Sequence, residues 1–157
     1  MTEADEPYVL AAGQGRSIDV GDGFCVIVKA SADETAGRLS VLETEEPPGF
    51  GPPLHIHRDA AEAFYILEGE YVMVLGEREV TCGPGWFIYI PQGMPHTFRA
   101  GDVRSRKVNL YFPAAMTGYF ADLAEAVKRG DASERTLGEI ARRHSMEVVG
   151  PVPDSYV

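Results

Sequence analysis

Cysteine is scarce. The 157-residue chain has two, Cys25 and Cys82, without the close pairing of a metal site. Two cysteines cannot make a disulfide framework, and they fit a reducing compartment. A chance bridge between them is left open by the sequence. Positive charge is also short: 14 Lys and Arg against 24 Asp and Glu give a net charge of −10. Such a surface repels phosphate backbones and anionic bilayers, so neither nucleic acid nor membrane is an expected partner. Long apolar runs are missing, and segments such as Trp86–Ile90 are far too short to span a bilayer. Met1–Pro7 is acidic and has neither the basic nor the apolar region of a secretory signal. The expected location is therefore cytoplasmic.

What is present is ordinary globular composition, 45% hydrophobic and 24% charged, in a length suited to one domain with a substantial core. The 17 glycines and 11 prolines follow no repeat and mark many turns between short strands. Candidate strands are Phe24–Val28, Arg38–Glu43, Ala63–Leu67, Tyr71–Leu75, Trp86–Ile90, Thr97–Ala100 and Lys107–Phe112. Their spacing is that of an all-β sandwich or barrel. The Pro/Gly clusters at 46–53 and 82–85 cannot lie inside central strands. Gly69 is read as closing a hairpin between Phe64–Leu67 and Tyr71–Leu75, at positive φ. A further β segment, Tyr8–Ala12, has no place in the barrel and is free to pair with a second subunit, so a homodimer is expected.

After Pro113 the apolar period lengthens. Phe120, Leu123, Ala124 and Val127 define a helix that Gly130 stops. A second helix is expected from near Asp131, with Glu134 as its capping-box partner and Leu137, Ile140 and Ala141 on its apolar side. The chain thus divides into an acidic tail (1–7), a β barrel (8–113), and helices with an extended end (114–157) belonging to the same domain.

The chemistry concentrates in four residues. His55-Ile56-His57 places two imidazoles on one face of a strand, because strand side chains alternate. Glu62 follows after a four-residue turn that returns the chain beside the first strand. His96 follows the rigid loop Pro91–Pro95. Three imidazoles and a carboxylate suit Fe, Mn, Ni, Cu or Zn without selecting among them. His144, at the end of the second helix, reads as a histidine favoured by the helix dipole and not as a fifth ligand. The pairs Asp122/Glu125 and Glu134/Glu139 read as solvated helix faces.

Two longer patterns run through these residues. Gly49, five residues, His55-Ile56-His57, four residues, Glu62, six residues and Gly69 form the first. Gly85, five residues, Pro91-Gln92-Gly93, two residues and His96 form the second, with Ala100 where a final Asn is usual. These two stretches resemble the paired motifs of the cupin superfamily, and the fifteen residues between Gly69 and Gly85 look like small bacterial single-domain members. The helical end resembles that of quercetinase-like monocupins. The resemblance implies a double-stranded β-helix, a small jelly roll around a central pocket. It implies one divalent transition metal per chain, held by His55, His57, Glu62 and His96. It also implies that Glu62 doubles as the catalytic base. Alternation from Glu62 and His96 puts Phe64 and Phe98 toward the pocket, with Ile66 deeper in the core. Tyr71 and Met73 are candidates to line it from the next strand.

Open coordination positions beside such a metal can take a substrate oxygen, dioxygen or water. The leading expectation is a metal-dependent dioxygenase acting on an enolic or phenolic small organic molecule. The alternatives are an isomerase or polyketide cyclase that works without dioxygen, or a metal-stabilised binding domain with no turnover.

Overall fold

The computed structural model describes residues 4 and 6–151. The expected tail at 1–7 and the end beyond 151 lie largely outside them. In chain order the elements are β1 (Arg16–Gly21), β2 (Phe24–Ala30), β3 (Ser40–Glu46), β4 (His55–His57), β5 (Ala61–Glu68), β6 (Tyr71–Leu75), β7 (Arg78–Cys82), β8 (Phe87–Ile90), β9 (His96–Ala100), β10 (Ser105–Phe112), α1 (Thr117–Lys128), α2 (Glu134–Arg143) and β11 (Met146–Val148). Two antiparallel sheets result. The first runs β1-β2-β3-β10-β5-β8 and the second β11-β4-β9-β6-β7. Facing sheets with short helices at the C-terminal end are the architecture the sequence implied. Among the described residues, no helix is long and apolar enough to cross a membrane.

Alternation drives each strand. Phe24, Val26, Val28 and Ala30 of β2 point inward and are buried. The inward rows of β3 and β10 are different in kind. Ser40, Leu42, Thr44 and Glu46 of β3 are buried, as are Ser105, Lys107, Asn109 and Tyr111 of β10. A polar row inside a small barrel is costly unless every group finds a partner. Thr44, Glu46, Lys107, Asn109 and Tyr111 of these rows line the cavity described below.

Strands form at all seven expected places, with ends shifted by a few residues. Three sequence expectations need correction. Tyr8–Ala12 is not a strand; the Tyr8 hydroxyl instead donates to the Lys29 carbonyl, 2.7 Å away, and ties the segment to its own barrel. Gly69 does not close a hairpin, because β5 and β6 lie in different sheets. It carries the crossing between them at φ +77°, where a Cβ would meet Ser105 Oγ at 2.1 Å. The hairpin is β6–β7, through Gly76. The second helix is capped by Ser133, whose hydroxyl accepts from the Thr136 amide, and not by Asp131. The bridge that the sequence left open is not formed: Cys25 and Cys82 are both free, on strands of different sheets.

The helices close one side of the barrel. α1 buries Tyr119, Phe120, Leu123 and Ala126 against the first sheet. Phe120 meets Phe24 edge-on, with ring centroids 5.9 Å apart. Full burial of a Leu or Phe side chain contributes about 1.5–3 kcal/mol. α2 packs Leu137, Ile140 and Ala141 into the same cluster, and β11 then pairs with β4. His144 caps α2 as expected of a helix-end histidine. It does more than answer the dipole, because Asp122 of α1 lies 2.8 Å from its Nε2. Asp122 is therefore an inter-helix tie rather than only a solvated carboxylate.

Candidate metal centre

The site lies between the sheets. β4 supplies His55 and His57, and the strand period of two turns both rings inward. Neighbouring β9 begins with His96, in register with His55. Glu62 comes from β5 of the opposite sheet. The turn after His57 therefore crosses between sheets instead of returning beside β4, and the carboxylate faces the imidazoles. The loop before β9 is fastened to β4, because the Gly93 amide donates to the His57 carbonyl at 3.0 Å.

All four side chains are buried, and one possible ligand atom from each lies within 4.8 Å of the others. The His55 and His57 ring centroids are 4.9 Å apart, and those of His55 and His96 4.3 Å. Two rings are fixed by backbone carbonyls: His55 Nδ1 is 2.8 Å from Pro53 O, and His96 Nδ1 is 2.8 Å from Met94 O. A carbonyl accepts only, so each Nδ1 carries its hydrogen. In the neutral rings, Nε2 then presents a lone pair to the centre, the arrangement that orients metal-binding histidines.

The fit to a cation follows from what these lone pairs meet. Glu62 Oε2 lies 2.8 Å from His96 Nε2 and 2.9 Å from His57 Nε2. The His57 contact lacks hydrogen-bond geometry, which leaves its Nε2 a buried nitrogen without a partner. Neutral imidazole lone pairs at that distance from a carboxylate oxygen repel unless a proton or a metal ion stands between them. The donor set therefore fits a divalent transition metal, with nitrogen and oxygen ligands that do not determine which.

Electrostatics of the metal-free site agree. Burial, reinforced by the charges of His96 and His57, pushes His55 down to about 3, so it stays neutral. Burial alone would raise Glu62, but the charge of His57 and the charge and hydrogen bond of His96 hold it well below the usual carboxylate range. Burial lowers His96, and its hydrogen bond to Glu62 more than reverses that.

A cavity of about 40 Å³ adjoins the ligands, walled by the rings of Phe64, Phe98, Phe24 and Phe50 and by polar residues of β3 and β10, Thr44 and Glu46 facing Lys107 and Asn109. Two of the expected pocket residues, Phe64 and Phe98, stand on its wall. Met73 does not: it is fully buried in the second core cluster, opposite Phe98 in register. Tyr71 contributes from behind, its hydroxyl donating to Glu46 Oε2 at 2.5 Å. Burial, with the Glu46 charge, raises that phenol far above its ordinary value.

Sequence reasoning missed the polar residues of the cavity. Lys107 is fully buried, ion-paired with Glu46 and bonded to Thr44 Oγ1 at 2.9 Å. Its ammonium sits 4.0 Å from the centroid of the Phe98 ring, a cation–π contact. Asn109 Nδ2 lies 3.2 Å from the same threonine oxygen, and its buried Oδ1 has no partner. Tyr111 stands opposite Glu62 in register, and burial with the Glu62 charge raises its phenol well above its ordinary value. Ala100, at the position where Asn is usual, is buried and serves through its backbone. Its amide donates to Phe50 O at 2.8 Å, and its carbonyl accepts from the Gly49 amide at 3.2 Å.

A small two-sheet barrel with three histidines and a glutamate between its sheets defines a class of protein. Residues 42–105 match the cupin domain family. The chain is 31% identical over 119 residues to the quercetin 2,3-dioxygenase of Bacillus subtilis (strain 168), which covers 76% of this chain and 35% of that enzyme. The chain thus matches only about a third of that relative's length. Among solved structures, KdgF from Halomonas sp. superposes with a TM-score of 0.62 at 18% identity, over 69% of this chain and 94% of that one. The polyketide cyclase RemF from Streptomyces resistomycificus superposes with a TM-score of 0.58 at 24% identity, over 68% and 80%. These two likenesses concern the fold. The chain belongs to the cupin superfamily.

Proposed function

We propose that the protein is a metal-dependent dioxygenase acting on an enolic or phenolic small organic molecule. The observation that carries this reading is the pairing of a carboxylate, Glu62, with three imidazoles around one buried point, beside a cavity walled by aromatic rings. The relation to a quercetin 2,3-dioxygenase supports the choice of dioxygen chemistry. A divalent transition metal bound by His55, His57, Glu62 and His96 supplies Lewis acidity and positions for oxygen ligands.

The chain's own residues do the rest. The Pro53 and Met94 carbonyls hold the His55 and His96 rings in one tautomer and orientation. Glu62 accepts the enolic or phenolic proton on its carboxylate, with Tyr111 opposite it in register on β10. Phe64 and Phe98 offer ring faces to a flat substrate and exclude water. About 40 Å³ accommodates a few waters, so an organic substrate enters by displacing side chains at the wall.

A second reading is favoured by the buried Lys107, Glu46 and Asn109 on the same cavity, with Tyr71 bonded to Glu46 behind them, which can position a substrate for proton transfer alone. That is isomerase or cyclase chemistry without dioxygen, and RemF, with the same fold, is a cyclase. The discriminating experiment offers metal-loaded protein a panel of flavonols, diketones and catechols, with and without dioxygen. Dioxygen uptake matched to substrate loss is the expected result. Equal substrate loss under anaerobic conditions selects the second reading, and no loss under either condition selects a binding domain.

A further inference from the structure

The polar wall of the cavity satisfies itself except at one atom. The Lys107 ammonium is engaged by Glu46 Oε1, by Thr44 Oγ1 and by the face of the Phe98 ring. Glu46 takes the Tyr71 hydroxyl on its other oxygen. The ion pair is thus closed on itself, and its net charge is zero. Asn109 differs. It is 2% exposed and lines the cavity, and its Nδ2 is held 3.2 Å from Thr44 Oγ1. Its Oδ1, the end left to the cavity, has no partner. A buried amide oxygen without a hydrogen to accept is destabilising, and such groups in folded proteins call for an explanation.

Register sets what can reach that atom. On β10, Tyr111 lies opposite Glu62, and Asn109 lies opposite Phe64. Asn109 is therefore two residues, or about 7 Å of strand, from the level of Glu62. A ligand with one oxygen among the four candidate metal ligands reaches Asn109 with a group on the far side of a ring. An adjacent ring oxygen falls short. Chemistry then selects the group. Oδ1 only accepts, so a carboxylate or a carbonyl oxygen gains nothing there. A cation finds no free negative charge, because Glu46 is already paired with Lys107. A neutral hydroxyl meets both conditions. It donates and accepts, so it pairs with the Asn109 amide in either of the orientations that exchange Oδ1 and Nδ2.

We propose that Asn109 determines specificity at this site by binding a hydroxyl on the far side of the substrate ring from the oxygen that reacts. The substrate class narrows to phenols and enols with a second, distal hydroxyl. This rests on the proposed function for placing the reacting oxygen at His55, His57, Glu62 and His96. Discrimination follows because an analogue without the distal hydroxyl leaves Oδ1 buried and unpaired. Phe64 and Phe98, with ring centroids 5.8 Å apart, wall the same cavity and favour a ring between the two polar ends.

The test is anaerobic titration calorimetry with hydroquinone, para-cresol and catechol, on zinc-loaded and on metal-free protein. Zinc brings no redox chemistry, so the probes bind without turnover. Hydroquinone and para-cresol present the same phenol oxygen and differ only in a hydroxyl or a methyl across the ring. Their affinity ratio is therefore free of whatever the metal contributes. Wild type should bind hydroquinone roughly 10-fold or more tightly than para-cresol, and more tightly than catechol, whose second hydroxyl is adjacent. Asn109→Leu keeps a similar volume and removes the amide, and should bring the hydroquinone to para-cresol ratio to about one or below. Near-UV circular dichroism checks the fold of the variant, and if it misfolds, the wild-type ratios decide alone. Equal wild-type affinities for hydroquinone and para-cresol overturn the proposal. So does the absence of binding by either probe, or a ratio that survives in folded Asn109→Leu. Failure of the dioxygenase reading shows differently, as no dioxygen uptake by metal-loaded protein with the binding ratio intact.

Discussion

Lys107 offers a test of the packing around the cavity that is independent of any metal. Its ammonium and the Glu46 carboxylate are both fully buried and ion-paired. Thr44 takes a second ammonium hydrogen, and the Phe98 ring faces the charge. Replacing lysine by methionine keeps the stem and removes the ammonium, leaving the Glu46 charge buried with Tyr71 as its remaining donor. Removing one partner of a buried ion pair costs about 3–5 kcal/mol, because the survivor stays desolvated and uncompensated. For a domain of this size each kcal/mol moves the melting temperature by about 2–4 °C, so Lys107→Met should lower it by roughly 6–20 °C. The double variant Lys107→Met/Glu46→Gln removes both charges while leaving an acceptor for Tyr71. It should recover most of the loss, since well-matched neutral replacements of buried pairs are close to neutral in stability. Calorimetry on wild type, both single variants and the double variant completes the cycle. A Lys107→Met cost below about 1 kcal/mol, far under what a broken buried pair predicts, refutes the reasoning. So does a double variant no more stable than the single one.

Three further outcomes follow. Glu62→Gln preserves shape and an oxygen ligand but removes the proton acceptor. On metal-matched protein it should keep measurable metal while losing about 100- to 10,000-fold in turnover, and undiminished turnover rules out the base role. Gly69→Ala puts a Cβ at 2.1 Å from Ser105 Oγ and 2.8 Å from its Cα, at φ +77°. With backbone unable to yield, it should cost at least about 1–3 kcal/mol in chemical denaturation, and an unchanged midpoint contradicts the crossing geometry. In metal-free protein the stability maximum should fall near pH 6.5. Below that, the unfolded chain protonates His55 while the native chain, at about 3, does not, so stability falls with pH. The contribution of Glu62, whose native value is depressed, is lost in the same direction as the pH falls through that value. His96, raised, contributes fully below its ordinary value and loses that contribution as the pH rises through its native one. Melting temperatures that rise continuously from pH 6 to pH 4 would falsify this assignment of protons.

The four candidate ligands were legible because two rules act locally. Strand alternation aims His55 and His57 together, and the rigid Pro91–Pro95 loop sets His96 beside them. Which sheet each strand joins was not legible: Gly69 announces a turn, but a glycine at positive φ serves a crossing as well as a hairpin. β1, β7 and β11 escaped for a related reason. Arg78–Cys82 is mostly exposed, and Met146–Val148 is held by three residues of pairing with β4. The inner polar wall was hidden because a period of two separates two faces without saying which one is inside. Lys107 and Asn109 look like a solvent row until β3 supplies Thr44 and Glu46 opposite them. Met73 was misplaced by the same ambiguity, since it faces the second core cluster and not the cavity.

The central claim is that His55, His57, Glu62 and His96 hold one metal ion, and metal content per chain tests it most directly. Wild-type, His57→Ala and His96→Ala proteins would be loaded in parallel with Fe, Mn, Ni, Cu or Zn, freed of loose metal, and measured by elemental mass spectrometry alongside melting temperature. Wild type should hold close to one tightly bound ion for at least one of these metals, with a higher melting temperature than the metal-free form, since binding to the native state stabilises it. Both variants should lose the ion and the stabilisation together. Full occupancy in both variants, or a wild type that retains none of the five metals, would contradict it.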